Sequence, residues 1–278
     1  MTFPPLIASL HALAIYVAAG IASFGWALCT LVGWDAQTWV PFWFFGALLI
    51  YNVDRLRRDP ADALNLPERT ALIERLRPMC AGLAALAAAV LIVLPLWRRD
   101  WATFALVVAS SIGCLNYSIP MFGVRLKNVP LLKTFFAPTI LLCAFIVLPW
   151  FREGAPANIV SACIALAWAW GFLEFNMILC DLRDIDGDRR CGISSLPVLL
   201  GEKRTRQLLA ALIFITTALA LANAAFNPGS RYYWLPLGVL GALMLTMIFV
   251  ESRKRRSECF YEWLVEGMMF LPALVVAF

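Results

Sequence analysis

The sequence predicts an all-α, polytopic membrane protein, and three observations carry that expectation. The 278 residues are 62% hydrophobic and only 15% charged, with a mean hydropathy of +0.78. The apolar residues fall in long uncharged runs, which ordinary soluble domains lack. The basic residues are distributed unevenly, concentrating in alternate connections between those runs.

Crossing a bilayer core takes about 17 to 25 residues of helix. Nine runs approach or meet that length: 5–32, 38–53, 79–97, 101–119, 130–150, 157–180, 207–227, 231–250 and 260–278. The second is the shortest. The first has no basic stretch before it and is followed by more spans, so it is expected to be retained, not cleaved as a signal peptide. No Gly/Ser-rich linker or polar block divides the runs, and residues 1–278 are read as a single transmembrane domain. Spans two to five and six to nine form two similar halves, each opening on a helix that ends in acid.

Counting Lys133 and Arg231, in the first turns of spans five and eight, with the connections before them, the connections after spans two, four, six and eight hold 6, 3, 6 and 4 Lys and Arg, whereas those after spans three, five and seven hold 2, 1 and 1. The positive-inside rule therefore places the even-numbered connections and the amino terminus in the cytoplasm, and nine spans put the carboxyl terminus on the other side. A multi-pass protein of the cytoplasmic membrane is expected. The net charge of +5 is then mostly a topology signal, and no nucleic-acid partner is implied. The run "ESRKRRSE" (251–258) reads as retention on the positive side together with attraction to anionic membrane lipid.

Eight cysteines lie scattered, mostly in or beside apolar spans and without a CxxC pair, which argues against zinc and redox chemistry. His11 is the single histidine, so a His-based metal cluster is excluded; within span one it reads as a helix-packing or interfacial residue.

The chemistry concentrates in "CDLRDIDGDRRCG" (180–192), with four aspartates and three arginines directly after span six. On a helix continuing past that span, Asp181, Asp184 and Asp188 follow in steps of three and four and share one face. Glu174 lies on the same stripe about two turns deeper, and Asp186 points elsewhere. Aligned carboxylates repel one another unless a cation joins them, and oxygen ligands without His or thiolate favour magnesium. Magnesium takes one or two protein carboxylates and shares its other positions with water and phosphate oxygens. With Arg183, Arg189 and Arg190 nearby, the stripe suits a magnesium–diphosphate complex. A calcium loop fails, because no bidentate Glu follows at the required place. A solvated helix end explains the charge but not the alignment with an intramembrane glutamate.

The companion segment is "YNVDRLRRDPADALNLPERT" (51–70). Asn52 and Asp59 are seven apart and share a face, while Asp54 falls off it. Asp59 precedes Pro60 and also suits an N-cap, with Asp62 favourable to the helix dipole in the first turn. Asn52, at the membrane end of a span, is the stronger functional candidate.

Together these residues resemble the UbiA-type superfamily of intramembrane prenyltransferases over nearly the whole chain. "DLRDIDGDRRCGISSLPVLLG" is similar to the family's DxxDxxxD segment and the Gly, Leu-Pro and Leu-Gly positions after it. "LNYSIPMFGVRLKNVPLLK" resembles its Tyr-Ser and Pro-x-x-Lys segment, and "YEWLVEGMMFLPAL" its last helix, with Glu266 at a usually acidic position. The first motif departs: counting NxxxDxxxD from Asn52 puts Leu56 and Pro60 where acids belong, with Asp54 and Asp59 as displaced substitutes.

The resemblance implies helices around a central, largely apolar cavity and Mg2+-dependent transfer of an isoprenoid from an allylic prenyl diphosphate. The acceptor would be lipid-soluble, an aromatic ring or a quinone precursor. It implies metal ligation by Asp181, Asp184 and Asp188, with Asp54 and Asp59 from the first motif. Asp181, Asp184, Lys133 and Tyr117 would act in catalysis, with Tyr117 offering an aromatic face to the prenyl cation. Asn52, Arg183, Arg189 and Lys127 would hold the diphosphate. The altered first motif also admits a member that binds isoprenoid lipid, or assists a partner enzyme, without catalysis. A transporter fits less well, because nothing suggests a helix broken at the membrane midplane.

Overall fold

The computed structural model describes residues 5–119, 123, 126, 129–254 and 256–278. Each of the nine expected spans coincides with helix. Span one is split into α1 (Pro5–Ala12) and α2 (Ile15–Val32). Spans two to five are α3 (Val40–Leu56), α5 (Pro67–Trp97), α6 (Trp101–Ser118) and α7 (Leu132–Glu153). Spans six to eight are α8 (Ile159–Arg183), α11 (Glu202–Phe226) and α12 (Arg231–Glu251). Span nine runs through a π-helical turn (Phe260–Val265) and a 3-10 turn (Glu266–Phe270) into α13 (Leu271–Ala277). Three short helices, α4 (Pro60–Asn65), α9 (Ile185–Arg190) and α10 (Leu196–Leu200), occupy the two acidic connections. Seven of the spanning elements are long and apolar enough to cross a membrane; α3 and the apolar stretch Trp101–Tyr117 of α6 are shorter.

Local chemistry sets the boundaries. Gly33 ends α2 in a left-handed conformation (φ 90°), its N–H reaching the carbonyls of Cys29 and Thr30. Asp59 caps α4 ahead of Pro60, Asp100 caps α6 through the Thr103 N–H, and Asn158 caps α8 through the Ser161 N–H. Ala14, left-handed at φ 62°, breaks span one. At that break Asn52 Nδ2 donates to the Leu13 carbonyl (3.0 Å) and Arg55 Nη1 to the Ala12 carbonyl (3.0 Å). A hydrocarbon environment leaves no water for those carbonyls, so side chains must serve them.

The spans close a ring in chain order, each packing on its neighbour and α13 returning to α2. Residues of α2 and α8 supply much of the buried core, including Phe24, Trp168, Phe172 and Phe175. Phe24 stacks on Trp168 (6.0 Å, 4°) and Phe172 (5.8 Å, 29°).

The connections sort by parity. Gly187 N donates to Asn65 Oδ1, Leu131 N to the Ser194 carbonyl, Glu258 accepts from the N–H groups of Glu68 and Arg69, and Arg206 meets Ser252. The connections after spans two, four, six and eight therefore gather at one end. At the other end, Asp35 and Trp34 bond to Glu153 and Gly154, Arg152 pairs with Asp100, and Asn227 bonds to Ser161. All four lysine- and arginine-rich connections thus share one face of the bundle.

Gly25 marks a tight crossing in the interior. A Cβ there would lie 2.7 Å from the Phe145 ring and 2.8 Å from the Trp43 ring. The Trp43 indole is pinned by its N–H to the Ala144 carbonyl (3.1 Å) and meets Phe145 edge-on. Gly25→Val is expected to cost about 1–3 kcal/mol through overpacking, read as a lowered unfolding temperature in detergent. Gly82→Ala on α5, where a Cβ meets nothing within 4 Å, is the control and leaves that temperature unchanged or raised.

Candidate active site

The two acidic connections meet at the mouth of a cavity of about 310 Å3. Its wall draws on α2 to α8 and span nine, while no residue of α11 or α12 lines it; the cavity lies to one side of the bundle. Asp54, Asp62, Lys133, Asp181, Arg183 and Asp184 ring the mouth. Below them the wall turns apolar and aromatic, with Tyr51, Tyr117, Phe136, Trp43, Phe42 and Phe145.

The second acidic segment is not one continuous helix. α8 stops at Arg183, Asp184 takes a non-helical conformation (φ −85°, ψ 1°), and α9 restarts at Ile185. The three aspartates still turn inward: Asp181 and Asp188 are 1% exposed and Asp184 9%. Lys133, at the start of α7, explains how acid survives burial there. Its Nζ lies 3.1 Å from Asp181 Oδ1 and 2.5 Å from Asp188 Oδ2. Thr134 Oγ1 donates to Asp181 Oδ2 (2.5 Å) and accepts from the Leu196 N–H (3.1 Å). Arg183 grips its neighbour Asp184 through two N–H bonds, of 2.7 and 3.0 Å, and lies over the Tyr261 ring at 5.1 Å. Burial alone would raise the Asp184 pKa, but the charges of Arg183, Lys133 and Arg69 together, with the Arg183 hydrogen bonds, hold the carboxyl below its usual range. Asp184 thus stays ionised at neutral and mildly acidic pH.

The expected site residues divide between the cavity wall and the helix framework. Asn52 is fully buried and spends its amide on the Leu13 and Leu48 carbonyls; it is absent from the cavity wall. Asp59 caps α4 through the Ala61 N–H and does not line the cavity. The acids facing the mouth from this side are Asp54, which the resemblance places among the metal ligands, and Asp62, read from the sequence as favourable to the helix dipole. The reason is the left-handed residue Arg58 between α3 and α4, which cancels any single helical register across 52–62. Arg189 points outward beside the exposed Asp186 (3.9 Å). Glu174 is buried but off the wall, and Lys127 lies outside the described residues. Tyr117 lines the cavity, its ring stacked on Phe136 (5.1 Å, 9°) and its hydroxyl reaching the Lys133 carbonyl (3.4 Å). Sequence reasoning missed Thr134, whose signal was its place beside Lys133, and Asn65, which had none.

The donor set fits a hard cation only in part. Among the described residues no three His, Cys, Asp or Glu side chains come together as a ready metal cage. Of the three aspartates expected to bind metal, Asp181 and Asp184 line the cavity and Asp188 lies beside it, on Lys133. Asp54, Asp62, Asp181 and Asp184 ring one mouth, and Asp188 Oδ1 is buried without a hydrogen-bond partner among the described residues. One or two carboxylates with water and phosphate oxygens is the arrangement magnesium favours.

A model of the UbiA prenyltransferase family matches residues 59–272. The chain belongs to the UbiA prenyltransferase family. Its apolar helices and this membership make it a multi-pass integral membrane protein. The bacteriochlorophyll synthase 33 kDa chain of Cereibacter sphaeroides is 26% identical over 229 residues, 78% of this chain and 71% of the relative. Somaliensene A/B synthase of Streptomyces somaliensis is 35% identical over 110 residues, and the match spans only 36% of each chain. The fold is similar to that of a UbiA homologue from Archaeoglobus fulgidus solved with DMAPP and Mg2+, with a TM-score of 0.62 at 16% identity over 96% of this chain and 98% of that one. The same homologue solved with GPP and Mg2+ gives 0.60, at 16% identity over 98% of this chain and all of that one.

Gly187 ties the two halves of the mouth together. A Cβ there would fall 2.2 Å from Asn65 Oδ1, the atom that accepts the Gly187 N–H at 3.1 Å. Gly187→Ala should lower thermal stability by separating α4 from α9, and Asn65→Ala should recover part of the loss. A double-mutant cycle on unfolding temperature in detergent measures that coupling.

Proposed function

We propose that the protein transfers an isoprenoid chain from an allylic prenyl diphosphate to a lipid-soluble acceptor, an aromatic ring or a quinone precursor, with Mg2+. One observation carries this reading: acids from both connections, Asp54 and Asp62 with Asp181 and Asp184, face one mouth beside Lys133 and Arg183, above an apolar aromatic chamber. A charged head and a greasy tail on one molecule match that division. The same observation speaks against a protein that only binds lipid, which the irregular first motif left open.

Asp54, Asp62, Asp181 and Asp184 would hold the metal, which when bound would neutralise the diphosphate and stabilise it as a leaving group. Lys133 and Arg183 supply positive charge at the same rim, where the departing anion develops. The chamber walls exclude water from the electron-poor prenyl carbon. Tyr117, Phe136 and Trp43 offer ring faces that attract a carbocation.

Magnesium-dependent release of diphosphate from a panel of allylic diphosphates, with membrane extract as acceptor, tests the reading. Asp184→Ala and Asp54→Asn should each cut turnover by at least about a hundredfold, while Asp59→Asn, which keeps a capping oxygen, leaves it near wild type. No release with any donor from folded protein would sink the proposal.

We also place the acidic mouth on the cytoplasmic side of the cytoplasmic membrane, because the lysine- and arginine-rich connections gather at that end. Cys191 is exposed there. In a variant keeping only that cysteine, a membrane-impermeant maleimide should label inverted vesicles and spare right-side-out ones; the reverse pattern refutes the orientation.

A further inference from the structure

His11 does not pack alone in the first span. It is 1% exposed, with Nε2 2.8 Å from Glu266 Oε2 and Nδ1 3.3 Å from Glu262 Oε1. An imidazole in contact with a carboxylate at each nitrogen donates to both only when protonated. When it is neutral, a single N–H remains and one carboxylate loses its donor. The three groups therefore share protons as a unit. Of the three, only Glu266 lines the cavity. It stands where the π-helical turn gives way to the 3-10 turn, an irregularity that recurs at functional sites. Asn176, its amide nitrogen donating to the Val265 carbonyl at 2.7 Å, adds a second acceptor group to the same wall.

This part of the wall can take a proton. None of the diphosphate chemistry above employs it. We propose that Glu266 is the catalytic base for the acceptor, with His11 and Glu262 as positioning residues that carry the proton's charge, and that the acceptor is protic, a phenol-type hydroxyl compound. The proposal rests on the prenyl-transfer reading and names its second substrate class. The C1–O bond of the donor breaks and its electron pair leaves on the diphosphate. A lone pair or ring π pair of the acceptor forms the new bond to C1. The acceptor's proton passes to Glu266, so charge and atoms balance. A preformed carboxylate would need no base.

The test uses full-length protein in detergent, geranyl diphosphate with Mg2+, and two probes of similar shape, 2-naphthol and 2-naphthoate. Wild type is expected to prenylate the naphthol and not the naphthoate. Glu266→Gln should lower kcat for 2-naphthol at least about a hundredfold, the scale of general-base catalysis. Its Kd for geranyl diphosphate should stay within about twofold, because the donor head group binds elsewhere. His11→Gln keeps a hydrogen-bond donor to Glu266, so a merely structural histidine would be rescued; here kcat should fall about tenfold with KM unchanged. Should Glu266→Gln fail to fold, Glu266→Asp keeps the charge and is expected to retain donor binding while losing about tenfold in kcat. Preference for naphthoate, prenylation of neither probe by protein that releases diphosphate, or an unchanged kcat in the Glu266 variant overturns the assignment. Absence of any diphosphate release refutes the prenyl-transfer reading instead.

Discussion

A lysine ammonium buried between two aspartates holds the business end of this bundle together. Lys133 joins the start of α7 to Asp181 on α8 and Asp188 on α9, all three nearly without solvent contact. Ions out of water are tolerated only when paired, and removing one partner from such a pair costs about 3–5 kcal/mol. The pairing thus permits a carboxylate-rich rim on an otherwise apolar chamber. Thr134 extends it, bonding Asp181 on one side and the Leu196 N–H on the other, so that the connection after span six is sewn to the top of α7.

The same requirement explains the irregularities elsewhere. Breaks within spans one and nine expose backbone groups that hydrocarbon cannot solvate, and side chains match them. The break at Ala14 is served by Asn52 and Arg55. The π-helical and 3-10 turns of span nine are answered by Asn176 on the Val265 carbonyl and Tyr16 on the Trp263 carbonyl. Polar residues inside the spans include those that repair backbone, such as Asn52, and those presented to the cavity, such as Asp54 and Glu266. The repairing set is what makes the presenting set possible, because the breaks free the backbone to aim it.

Much of the fold was legible in advance because its signals are local. Hydrophobic run length gave the nine spans, and the alternation of Lys and Arg anticipated which connections share an end. The acid of the second connection was legible too, since Asp181, Asp184 and Asp188 turn inward despite the interruption at Asp184. The first connection was misread for a definite reason. Helical counting assumes one register, and the left-handed Arg58 separates Asp54 from Asp59 and Asp62. His11 looked like a packing residue because its partners lie more than 250 positions away.

By itself the sequence determined an all-helical, membrane-spanning chain with its charge segregated by connection, because transfer free energy acts on each segment where it stands. Only the tertiary structure decided which acids face the cavity and which cap or repair a helix. It also decided that the single histidine meets two glutamates from the far end of the chain. Those outcomes depend on how the ring of spans closes and where its helices break, and distance along the chain carries no record of either.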